Sequence, residues 1–162
     1  MNLPQRLAGD AIAALIPHAG AMCLLARLDA WDDVTIVCAA TNHRDARHPL
    51  RTRSGLLAPA AIEYAAQAMA LHGGLLGQVA GLPASAGYLA SARGVTFHVL
   101  RLDDLPLDTG GTAGTAPDEL RIEATRQAGD ARQILYAFCV SHAGRPVATG
   151  RAAVVLNTSL AA

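Results

Sequence analysis

The chain of 162 residues contains no lysine: thirteen arginines carry all of its basic charge, and thirteen acids bring the formal total to zero. Without a net positive charge there is no general attraction to nucleic acid or to an anionic membrane surface, and neither is expected as a partner. Cysteine is also sparse. Cys23, Cys38 and Cys139 are odd in number, lie in apolar runs and lack metal-ligand spacing, so a disulfide framework and a metal site are both unexpected. Free thiols in a reducing cytosol fit them, and no cofactor is implied. The N-terminal segment is poor material for a signal peptide, because Asp10 and Pro17-His18 bracket the short apolar run AIAALI. A cytoplasmic location is therefore expected. Residues 55 to 80 hold no arginine and could pass for a membrane span, yet Glu63, Gln67, His72 and Gln78 fall inside them. A charge at a bilayer centre costs about 3 kcal/mol or more, so a helix buried in protein is the better reading.

What is present is apolar sequence, 52% of the chain, enough for one domain over residues 1–162 with its own core. There is no internal repeat. A short helix is expected over 5–16, and two strands over 21–41 joined around Asp32-Asp33. An arginine-rich loop follows. Pro59 suits the first turn of a helix, and the Ala-rich sequence after it continues to about Gly81, the one long helix of the chain. Beyond Pro83 the pattern turns to strands. In "ELRIEATRQ" Leu120, Ile122 and Ala124 alternate with Arg121, Glu123 and Thr125; "RQILYAFCVSH" is apolar on both parities, as a strand covered on two faces would be; "RPVATGRAAVVL" closes the set. The short turns "QAGD" and "HAGR" make the last three an antiparallel meander, and residues 103–117 read as one long surface loop. Two strands, a helix apolar nearly all round, then about four strands specify an α+β fold in which an antiparallel sheet wraps a central helix.

Two features carry chemistry. Between Arg44 and Arg53 four arginines (Arg44, Arg47, Arg51, Arg53) face one acid, Asp45, a local charge of 4 − 1 = +3 that could dock an anion. On the long helix, projection at 100° per residue leaves one narrow stripe: Glu63, Gln67, Ala70, Gly74, Gln78. A solvent-facing stripe is the plain reading. The small residues Ala66, Ala70 and Gly74 suggest instead close approach by another chain or a ligand. If the sheet removes Glu63 from water, an unpaired ion there costs several kcal/mol against a total stability of about 5 to 15, more than the helix N-terminus returns. A role in a cleft would account for it.

The segments "LIPHAGAMCLLARLDAWDD", "HPLRTRSGLLAPAAIEYAAQAMALHGG" and "GYLASARGVTF" resemble the hot-dog-fold β-hydroxyacyl-carrier-protein dehydratases, most of all the variants encoded in bacterial aryl-polyene gene clusters. The likeness covers about residues 12 to 155 and is most specific over 58–74. It implies that Glu63 is the family's catalytic acid and His48 its catalytic histidine, with Ala66 and Gln67 matching the motif after the acid. His43, in the same loop, is the competing base. The gap from His48 to Glu63 is one residue longer than in the family, and Leu57, Ala58 and Pro59 replace its Pro-Gly.

By the same resemblance, His48 removes a proton beside the thioester carbonyl, Glu63 serves the departing hydroxyl, and backbone N–H groups near Ala58 hold the oxyanion, with Gln67 also at the substrate. A cis peptide before Pro49 is expected. The partners implied are an acyl carrier protein bearing a phosphopantetheine-linked substrate, docked on Arg44 to Arg53, and a second subunit in a homodimer or a heterodimer with a related dehydratase, the histidine and the acid of each site coming from different subunits. Two alternatives stay open: a non-catalytic partner subunit of such a heterodimer, and a hot-dog thioesterase. His18, beside proline in "IPHAGAM", reads as a structural hydrogen-bonder; His72 and His98 as core or sheet histidines; His142 as a turn residue; Trp31 and Tyr88 as packing residues, with Tyr88 a possible wall of an acyl tunnel.

Overall fold

A computed structural model of the chain describes residues 5–82, 87–107, 117–130 and 132–156. In chain order these form β1 (Leu7–Ala8), α1 (Gly9–Ala13), a 3-10 turn (Gly20–Met22), β2 (Arg27–Trp31), β3 (Thr35–Ala40), α2 (Ala60–Val79), β4 (Gly87–Phe97), β5 (Leu120–Gly129), β6 (Gln133–His142) and β7 (Arg145–Leu156). The helix expected over 5–16 is shorter, because residues 7 and 8 pair with Leu28 and Arg27 of β2 instead of continuing it. Most of the expected 103–117 loop lies outside the described residues.

The seven strands make one antiparallel sheet in the order β1-β2-β3-β5-β6-β7-β4. The meander is present, since β5, β6 and β7 are neighbours in chain order. β4 returns to the far side of β7, pairing Tyr88 with Val155 and Phe97 with Ala148, and its other edge pairs with no strand among the described residues.

The sheet curls around α2. Alternate residues point inward: Ile36, Cys38 and Ala40 of β3, Leu120, Ile122 and Ala124 of β5, and Ile134, Tyr136, Phe138 and Val140 of β6 are buried in one cluster with Tyr64, Ala65, Ala68, Met69, Leu71 and Leu75 of the helix. Period-two burial on the strands and burial nearly all round the helix are what a sheet wrapped on one helix requires. The second parity of β6 is not covered: Leu135 is 42% exposed, and Ala137 and Cys139 are half-buried. Its apolar character therefore does not mark a two-sided strand within this chain.

Pro59, with φ of −57°, stands at the helix N-cap, and its ring pre-sets the entry to α2. Within the helix, Gly74 matters by what it lacks. A Cβ there would stand 3.1 Å from the carbonyl oxygen of Leu15, so a bare backbone lets the end of the N-terminal segment lie directly on α2. That contact carries residues 16–26 across the helix. Among the described residues no helix is long and apolar enough to cross a membrane.

Candidate active site

The segment laid over α2 brings His18 to Glu63. His18 Nε2 is 2.9 Å from Glu63 Oε1, with the two side chains 25% and 30% exposed. Gln67, one turn further along the helix and wholly buried, fixes the pair: its Nε2 donates to Glu63 Oε1 (3.0 Å) and to the Met22 carbonyl (2.7 Å), while its Oε1 accepts from Leu24 N–H (2.8 Å). Because Met22 offers only an acceptor and Leu24 only a donor here, the amide orientation is unambiguous. Glu63 Oε1 thus faces two nitrogens, and Oε2 makes no hydrogen bond among the described residues. On the other side of the imidazole, Nδ1 is buried and has no partner. The arrangement leaves one unoccupied acceptor on each member of an acid–imidazole pair.

The stripe expected to face either water or a ligand is thereby resolved. Gln67 is buried, Glu63 and Ala70 are half-buried, Gly74 holds Leu15, and the stripe becomes fully exposed at Gln78.

His48 lies on a different side of α2. Its Nδ1 accepts from Leu50 N–H at 3.1 Å, so the ring's proton sits on Nε2 and is donated to Tyr64 Oη at 2.8 Å; Tyr64 in turn donates to Asn42 Oδ1 at 2.6 Å. Both ring nitrogens are committed. Burial holds the imidazole below its ordinary pKa and so neutral, and pushes the Tyr64 hydroxyl well above the usual phenol range. The expected pairing of His48 with Glu63 joins two subunits; within one chain the two residues do not meet. Nor is the cis peptide present: the bond before Pro49 is trans.

His43 does not reach Glu63 either. It is fully buried with Nε2 3.1 Å from Asp118 Oδ1, the oxygen that His142 Nε2 also approaches, at 2.8 Å. Burial lowers the His43 pKa, with Asp118 opposing it. These three residues place potential metal-ligand atoms within 4.8 Å of one another, a constellation that spacing in sequence did not reveal. However, Arg44 already engages both carboxylate oxygens of Asp118, through Nε to Oδ2 (2.7 Å) and a terminal nitrogen to Oδ1 (3.1 Å). That guanidinium is the main reason the Asp118 carboxyl is held far below the usual range.

The arginine cluster divides in two. Arg44 is tied to Asp118, and Arg51 to the nearly buried Asp103 at 3.1 Å, which Arg101 also holds. Arg47 and Arg53 are exposed. Ala58, expected to lend its N–H to an oxyanion, donates instead to the Leu100 carbonyl at 3.0 Å, and the N–H groups of Ala60, Ala61 and Ile62 close turns onto Leu57, Ala58 and Pro59. The N–H groups of Ala58, Ala60, Ala61 and Ile62 are therefore already used within the chain. His72 is a satisfied core histidine, between Tyr136 Oη (2.9 Å) and the Asp32 carbonyl (2.7 Å), with Trp31 edge-on to it. His98 and Tyr88 are exposed, contrary to the packing roles expected for them.

Sheet, helix and site together define a hot-dog protein whose central helix presents a carboxylate, held by a glutamine and opposed by an imidazole. The profile of the ApeP-like family, described as ApeP dehydratase, matches residues 10–162, and the chain belongs to this dehydratase family. Among solved structures, it is similar to the dehydratase heterocomplex ApeI:P from Xenorhabdus doucetiae at 24% identity, covering 91% of each chain with a TM-score of 0.75. AziG from S. sahachiroi (17% identity, 88% of this chain and 97% of that one) and a variant of the thioesterase SAV0944 from Staphylococcus aureus (10% identity, 81% and 92%) both give 0.53. These identities speak to the fold. The sequence matches no curated protein.

Proposed function

We propose that the chain removes water from a β-hydroxyacyl thioester carried on an acyl carrier protein, in the aryl-polyene type of synthesis, and that Glu63 and His18 are its acid–base pair. The observation that carries this reading is the 2.9 Å contact between His18 Nε2 and Glu63 Oε1, with Nδ1 and Oε2 left unoccupied. With substrate bound, His18 would take the proton beside the thioester carbonyl at Nδ1, an atom closed to solvent in the chain alone. Glu63 enters as the carboxylic acid with its proton on Oε2 and gives that proton to the β-hydroxyl, which departs as water while the carbon–carbon double bond forms, and Glu63 Oε1 receives the Nε2 proton of His18. The ring ends as its other tautomer and is reset by exchange with water. An imidazole whose ordinary pKa is near 6.5 suits such a transfer at neutral pH. Gln67 positions Glu63 rather than touching substrate, and His48 positions Tyr64. Arg47 and Arg53, being exposed, remain to meet an acidic carrier.

The test is mass spectrometry of a β-hydroxyacyl-carrier-protein thioester incubated with the purified protein. Loss of one water with the thioester intact supports the reading; release of free acid supports thioesterase chemistry and overturns it.

A second reading, a subunit that works in a heterodimer with a related dehydratase, is favoured by one observation. The free edge of β4 is eleven residues long and exposes Tyr88 (67%) and Leu89 (40%), the kind of edge that proteins cover by pairing. The similarity to a chain of a dehydratase heterocomplex agrees with it. Assaying the protein with and without its candidate partner, then repeating both with Glu63→Gln, separates the two. Activity that needs the partner and ignores Glu63 assigns the chemistry to the other subunit.

A further inference from the structure

The sheet face turned away from α2 carries a cleft of about 380 Å³ that the acid–base site does not use. Ser91 and Arg93 of β4, Gln127 of β5, Gln133 and Leu135 of β6, and Arg151 of β7 line it. Arg93 and Arg151 are directly opposite each other in the β4–β7 register. Like charges facing across two strands repel, and natural sheets place an acid between or beside them. Neither arginine makes an ion pair among the described residues.

Backbone irregularities direct these groups toward one place. The β4–β7 ladder slips between Leu89 and Ser91 and again between Arg93 and Thr96, and the β5–β6 ladder slips between Arg126 and Ala128, around Gln127. Each slip adjoins a residue of the cleft, as bulges do when they re-aim side chains. Within the second, Gly94 takes φ of +57°, and a Cβ added there would stand 3.9 Å from a terminal nitrogen of Arg151. The Arg151 guanidinium therefore reaches over to the β4 backbone beside Arg93. Two planar donors and two side-chain amides converge in a concave site lined by no acid among the described residues.

We propose that this cleft binds a phosphate group, either free phosphate or the phosphate of a phosphopantetheine arm. Two guanidinium forks match the charge and the several acceptor oxygens of a phosphate better than the single charge of a carboxylate. The glutamine amides can donate to the remaining oxygens, and Leu135 offers an apolar wall to whatever chain the phosphate bears. The site does not depend on the dehydration reading, which is assayed separately through Glu63.

The experiment is phosphorus NMR titration of the full chain with inorganic phosphate and with 4′-phosphopantetheine, with pantetheine, which lacks the phosphate, as competitor. Saturable broadening of a phosphorus signal is expected, with affinity falling at least tenfold in Arg93→Gln and in Arg151→Gln, staying unchanged in the equally charge-reducing Arg145→Gln, and recovering in part with Arg151→Lys. Displacement by pantetheine is not expected. Tighter binding of phosphopantetheine than of phosphate identifies the arm as ligand; equal binding identifies phosphate itself. Absence of saturable binding by either probe, an equal loss in Arg145→Gln, or wild-type affinity in Arg93→Gln/Arg151→Gln overturns the proposal. The replaced side chains are exposed, and circular dichroism checks that each variant is folded.

Discussion

Two histidines flank the first turns of α2, and they differ in what is left over. On one side, His18 meets Glu63 with a nitrogen and an oxygen to spare, both side chains reaching partly to solvent. On the other, His48, Tyr64 and Asn42 form a chain in which each donor has an acceptor and the histidine ring has no vacant lone pair. A buried polar network that is fully satisfied rigidifies a fold; one with an unused acceptor beside a carboxylate can accept a proton. Within one chain, the histidine beside proline is tied into a hydrogen-bonded network, and the histidine of the N-terminal segment is the one that meets the carboxylate.

The sharpest way to break this comparison is to exchange the acid. Glu63→Gln keeps the shape of the site and removes the proton carrier, so turnover of a β-hydroxyacyl-carrier-protein thioester should fall about 1,000-fold or more with the melting temperature little changed. Next comes the contrast between histidines. His18→Gln should lower kcat by about 100-fold or more at nearly unchanged stability. His48→Ala should lower stability by about 1–3 kcal/mol in urea denaturation, because Tyr64 Oη and Leu50 N–H lose their partner, while kcat on the folded fraction stays within a few-fold. The reverse outcome would restore His48 as the base.

Gln67→Leu should act on both properties at once. It orphans the buried Leu24 N–H, at about 1–3 kcal/mol, and frees Glu63 to move, for which a loss of about tenfold in kcat is expected.

The smallest effect concerns pH. His43, His48 and His72 all have pKa values lowered by burial, so the unfolded chain binds protons that the folded chain does not. Their contribution is fully present above the unfolded histidine pKa of about 6.5 and is lost as pH falls through that value toward the lower folded ones. Urea midpoints should therefore decline from about pH 7 to pH 5, and less steeply in His48→Ala than in the wild type. Equal slopes would mean that His48 is not held neutral by the fold.

Much of this architecture is legible in the residues themselves. The period of Leu120, Ile122 and Ala124, the turn sequences of the meander and the Pro59 helix start each act over a few positions, where local physics decides. Glu63 stands out for the same reason, a lone acid in an apolar helix. What could not be read is which imidazole meets it. His18 sits in an irregular segment whose path over α2 is set by contacts 43 to 59 positions away in sequence, Gln67 with Leu24 and Gly74 with Leu15. The hint lay in "IPHAGAM", part of the family resemblance. Likewise the charge of the 44–53 loop could be counted but not its neutralisation, since Asp103 and Asp118 come from distant strand ends.

The notch at Gly74 has a consequence for how the chemistry is tuned. Leu15 seats its carbonyl 3.1 Å from where a methyl would be, and the imidazole follows three residues later. The distance across which a proton must travel is thereby governed by a hydrogen atom on a helix backbone, three turns from the carboxylate. Even the smallest side chain at that point would require the strap to give by a few tenths of an ångström, in the segment that holds the imidazole to the carboxylate.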